Sequence, residues 1–150
     1  MMFRQVGTLV LAMLAAGCAS LWPPEQNAAA LAALAPAARC HADLPFFGYY
    51  KYTRDEPMQY MEPDGRIAMG NDGGWCMIRY QLTMPNGGLS AGEMEVTQPP
   101  VGGTVMVGTL DRLLRIAYQP NPGFTGQDAF LVHIKGPIPY VVPIRVFVGQ

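Results

Sequence analysis

Charge is what this 150-residue chain has least of: Asp, Glu, Lys and Arg make up 14% of it, and its net charge is −1. With no basic excess and no Lys/Arg run, it offers nucleic acid no electrostatic footprint. Histidine is almost missing, with only His41 and His133, and serine is confined to Ser20 and Ser90. Neither serine sits in a G-x-S-x-G elbow, and H-E-x-x-H, a phosphate loop and a dinucleotide fingerprint are all lacking. The acidic pairs Asp55-Glu56 and Glu93/Glu95 read as solvated surface. Asp64, Asp72, Asp111 and Asp128 are scattered, whereas Ca2+ needs six to eight converging oxygens. The methionines are dispersed among strands as gap-fillers rather than grouped as soft ligands for copper. The sequence therefore predicts a protein without enzymatic activity, metal or cofactor.

A long apolar run is also lacking. Val6 to Leu14 is too short for a bilayer, which takes about 20 residues. Behind the charged start Met1-Met2-Phe3-Arg4, it has the layout of a secretory signal peptide. The run Leu14-Ala15-Ala16-Gly17-Cys18 then resembles the lipobox of bacterial lipoproteins. That resemblance implies cleavage before Cys18, a diacylglycerol on its thiol and an acylated new amino end. Several chains at about 0.8 kcal/mol per buried CH2 make such an anchor permanent. Ala19, where Asp would signal inner-membrane retention, implies the outer membrane, lipid-anchored and facing the periplasm or the surface. The alternative is an ordinary signal peptide cut after Ala19, giving a soluble periplasmic or secreted protein. Cleavage removes Arg4, so nine basic residues face 11 acids and the net charge becomes −2.

With Cys18 assigned to lipid, Cys40 and Cys76 form an even set in an oxidising compartment. Free thiols or a metal or redox pair are the alternatives. No C-x-x-C exists, and Cys40-His41 alone cannot complete a zinc site. A structural disulfide is expected.

Along the chain, residues 1–17 read as signal peptide, 18–44 as an Ala/Pro-rich tether and 45–150 as one domain. In the tether, Pro23-Pro24 stiffens the start, Asn27 is a capping candidate, and Leu31, Leu34 and Ala38 fall at helical spacing before Pro36 interrupts. Residues 45–62 are rich in aromatics, among them Tyr49, Tyr50 and Tyr52. From Ile67 the period is 2, with Cys76, Ile78 and Tyr80 on one face. Pro85-Asn86-Gly87-Gly88 marks a turn, and strands are expected near 93–98, 104–108, 113–118, 129–135 and 140–148. Pro143 lacks a ladder donor, so its strand should lie at an edge or pair on one side only there. About seven short strands separated by turns, in a chain with 17 Gly and 14 Pro, describe an all-β sandwich.

The sharpest pattern runs from Tyr118 to Phe130. Tyr118 ends an inward-facing alternation, and Pro120 stops the ladder. Pro122-Gly123 suits a type II turn, with proline fixing φ and glycine supplying positive φ. Phe124 can then drop into the end of the core, Gly126 allows a second bend, Asp128 can accept backbone N–H groups, and Phe130 resumes the inward face. This Y-x-P-x-P-G-F-x-G-x-D-x-F corner, with Gln98-Pro99-Pro100-Val101-Gly102-Gly103 upstream, resembles the closing half of bacterial cadherin-like and Ig-like repeats. The resemblance covers about a third of the chain and implies fold rather than activity, since such domains serve as spacers, adhesive modules and envelope subunits.

Asn71-Asp72-Gly73-Gly74-Trp75-Cys76 has two readings: a loop presenting Asp72 and Trp75, or a glycine-rich turn that delivers Cys76 to Cys40. A binding surface, if the chain has one, is expected at Asp72, Trp75 and the 46–60 aromatics. The functional expectation is a non-catalytic, lipid-anchored scaffold or accessory subunit that contacts another envelope protein. The alternative is a glycan- or peptidoglycan-binding module using exposed aromatics.

Overall fold

The computed structural model describes residues 25–44, 65–80, 93–135 and 140–150. One short helix, α1 (Ala28–Ala32), precedes eight strands. These are β1 (Cys40–Asp43), β2 (Gly65–Gly70), β3 (Cys76–Tyr80), β4 (Met94–Gln98), β5 (Gly103–Leu110), β6 (Leu113–Pro120), β7 (Gly126–Ile134) and β8 (Tyr140–Gly149). They form a five-stranded sheet ordered β1-β2-β8-β7-β4 and a three-stranded sheet ordered β3-β6-β5. Pairing is antiparallel except between β2 and β8. The order β8-β7-β4 opposite β3-β6-β5 is that of an Ig-type sandwich.

Period-2 alternation creates the core. Leu114, Ile116 and Tyr118 of β6 meet Phe130, Val132 and Ile134 of β7 and Val142, Ile144, Val146 and Val148 of β8, all buried. Cys76 and Ile78 complete the β3 side. Met69 and Met94 are buried in the same cluster, as gap-fillers would be. β8 lies between β2 and β7 rather than at an edge; at Pro143 it pairs with Leu131 of β7, and its described register with β2 begins at Ile144.

Two expectations are corrected. The strands number eight, and the additional one, β1, lies inside the segment read as tether. Its sequence, Cys-His-Ala-Asp, carries no apolar alternation; pairing with β2 and the link to Cys76 hold it instead. Residues 25–44 are therefore part of the fold. Asn27 precedes α1 in the left-handed region at φ 55° and makes no side-chain cap; its amide donates to the Val107 carbonyl at 2.8 Å. The helix is only five residues long, and its Leu31 is buried outside the main core cluster.

This N-terminal strap closes the sandwich at both open seams. At the β4/β5 seam, the Gln26 carbonyl accepts from Thr109 N–H at 2.8 Å, while its side-chain amide pairs with both main-chain groups of Met94. The strap then passes Leu31 over Gly108 and adds to the start of β3, where Ala37 N–H and Trp75 N–H donate to Trp75 and Ala35 carbonyls, both at 2.9 Å. At the β1/β3 seam the Cys40–Cys76 disulfide joins the two sheets, with Cα atoms 5.3 Å apart. Closing a loop of 36 residues stabilises the fold by about 3–4 kcal/mol on the chain-entropy account.

Candidate functional site

The two motifs that the sequence singles out separately, Asn71–Cys76 and Tyr118–Phe130, meet at one end of the sandwich. The Asn71 side-chain amide donates to the carbonyls of Asn121 and Phe124 at 2.8 and 3.0 Å, and the Gln119 amide donates to the Gly73 carbonyl. Between them lies an open cleft of about 520 Å³ lined by Asn71, Gly73, Thr104, Gln119, Pro120, Asn121, Pro122 and Gly123. Its lining holds amides, a hydroxyl and main chain but no ionisable side chain.

The corner has the expected mechanics in most respects. Phe124 N–H donates to the Asn121 carbonyl at 3.0 Å across Pro122-Gly123, with Gly123 at φ 80°, as a type II turn requires. Gly126 makes the second bend at φ 109°. Phe124 is half-buried rather than sealed, packing on the core edge with its ring against Gly102. A β-carbon on Gly102 would stand 2.3 Å from that ring, so a larger residue there would have to displace it. Pro120 is the last residue of β6, opposite Gly103, and the ladder ends there as expected. Pairing with β3 ends at Tyr118, so the absent N–H is missed on one side at most.

Asp128 accepts more than the turn geometry foretells. One carboxylate oxygen takes the N–H groups of Val101 and Ala129 at 3.0 and 2.9 Å. The other takes Gly102 N–H at 2.8 Å and the Tyr118 hydroxyl at 2.9 Å. Tyr118 is fully buried and stacks on Phe130, centroids 6.0 Å apart. Burial, then the hydrogen bond to Asp128 and its charge, push the Tyr118 hydroxyl far above the ordinary tyrosine value.

Asp72 and Trp75 serve the strap. The Asp72 carboxylate accepts from Gly74 N–H at 2.9 Å and Ala38 N–H at 2.7 Å, and those bonds hold its pKa below the ordinary carboxylate value. Trp75 is half-buried with its main chain committed to residues 35–37. Tyr49, Tyr50, Tyr52 and Cys18 lie outside the described residues. Glu95 is exposed and pairs with Lys135 at 2.8 Å. Asp72, Asp111 and Asp128 do not converge, and among the described residues no three His, Cys, Asp or Glu side chains gather as a metal site.

Sequence reasoning missed Asn71, Gln119 and Gln26. Asn71 carried a signal, as the first residue of an Asn-Asp-Gly-Gly turn; the two glutamines carried none. No family model, curated protein or solved structure matches this chain.

Proposed function

We propose that the protein is a non-catalytic, lipid-anchored envelope subunit, a single sandwich held against the outer membrane that acts through contacts with another envelope protein. The observation that carries this reading is where the fold begins. Gln26 is already bonded into the β4/β5 seam, and it stands eight residues after Cys18. At roughly 3.3–3.6 Å per residue, a lipid on Cys18 holds that seam within about 29 Å of the bilayer. The domain then rides beside the membrane rather than on a long spacer, and the strap carries the anchoring force to the disulfide. A corner built of buried aromatic and carboxylate bonds supports a rigid scaffold. A second reading, glycan binding, is favoured by one feature, the cleft of amides and a hydroxyl beside Asn71 and Asn121.

Fractionation and mass spectrometry test the anchor. The native protein is expected in the outer-membrane fraction with an acylated Cys18 peptide, and Cys18→Ser is expected to be released. Membrane association that persists in Cys18→Ser, with no acyl mass on the wild type, refutes the reading.

A further inference from the structure

We propose that the outer face of the three-stranded sheet carries a site for a small oxyanion, a carboxylate or phosphate group, held by the Arg115 guanidinium with Arg79 beside it. Arg115 is on the face of β6 turned away from the core, next to Ala117 and opposite Gly108 of β5. It is only 6% exposed, and its Nε and Nη1 atoms are buried without a hydrogen-bond partner. Leaving a buried cation unpaired is among the costliest arrangements a fold can hold.

The surroundings do not relieve it. Asp111, at the β5–β6 turn, is 3.9 Å from Nη2, beyond hydrogen-bond reach, and its side chain is 80% exposed. Arg79 of β3 stands directly across from Arg115 in register, and like charges so placed repel. Burial and Arg79 both disfavour the charged guanidinium, with Asp111 opposing them. A planar acceptor with two oxygens matches one edge of the guanidinium, meeting Nη2 together with one of the two unpartnered donors, and neutralises the pair. Nη2 is the one guanidinium nitrogen that is not both buried and unpartnered, and it lies 3.9 Å from the exposed Asp111 carboxylate, so the anion would enter from that edge. The site is independent of how the chain is anchored.

The test is a titration of the mature, detergent-solubilised protein with acetate and, separately, phosphate, at constant ionic strength against chloride. One arginine Nε–H resonance is expected to shift saturably and to be missing in Arg115→Met; acetate alone, phosphate alone or both identify the source of the oxyanion. Arg115→Met is expected to melt no lower than wild type in anion-free buffer and to lose the anion-dependent rise in Tm. Arg79→Gln is expected to weaken the apparent affinity roughly two- to fivefold. No saturable shift with either anion beyond chloride overturns the proposal, as does an Arg115→Met protein that melts well below wild type, which would show the guanidinium already partnered within the chain.

Discussion

The side-chain amide of Gln26 pairs with Met94 as one peptide group pairs with another, donating to its carbonyl at 2.9 Å and accepting from its N–H at 3.0 Å. Because the Gln26 carbonyl also bonds Thr109, one residue joins the edge strands of two different sheets. Edge strands left open invite pairing with other chains, and here the chain's own N-terminal segment covers them.

Gln26→Ala is therefore expected to destabilise the domain, since Met94 is 2% exposed and both its main-chain groups lose a partner. Urea unfolding should show a loss of about 1–3 kcal/mol. Gln26→Glu keeps the acceptor and loses the donor, so it should fall between.

The corner makes a second prediction. Phe124→Ala should cost about 2 kcal/mol, less than the 3–5 kcal/mol of a sealed aromatic, because the ring is only half-buried. Gly123→Ala should cost about 1 kcal/mol from its φ of 80° alone, since no neighbour stands in the way of a β-carbon. Thermal melts of both beside wild type measure this, and unchanged midpoints would reassign the corner as a surface loop.

Much of this was legible in the sequence because it depends on local chemistry. Alternation in β6, β7 and β8 announces the core, Pro122-Gly123 announces its turn, and Cys40 and Cys76 are the pair left once Cys18 is set aside. What stayed hidden depends on long-range pairing. β1 has no apolar pattern of its own and becomes a strand only because β2 lies beside it. Gln26 reads as one more polar residue in an Ala/Pro-rich stretch; its role depends on Met94, 68 positions away. Asp72 and Trp75 invite a binding role because they are conspicuous in a glycine-rich loop, yet their bonds go to the strap.

Alkaline pH gives a third prediction. The Tyr118 hydroxyl is raised in the folded state, so the folded form keeps its proton where the unfolded form, with a value near 10, has lost it. The stabilisation is complete below pH 10 and is lost as pH rises through the folded value, with a slope of up to about 1.4 kcal/mol per unit. Tyr118→Phe should show a shallower decline between pH 10 and 11, read by chemical denaturation across that range. An identical slope in both proteins would place Tyr118 in water.

Native-state amide hydrogen exchange of the protein tests most directly whether the N-terminal segment is part of the sandwich. The amides of Ala37, Met94 and Thr109 each donate to or from the strap through Trp75 or Gln26. Their exchange should be slowed nearly as much as that of Ile116 and Val132 in the core, with Met94 losing protection selectively in Gln26→Ala while Thr109, bonded to the Gln26 main-chain carbonyl, keeps its partner. Free exchange of all three in the wild type, with the core still protected, would show residues 26–37 to be a tether after all.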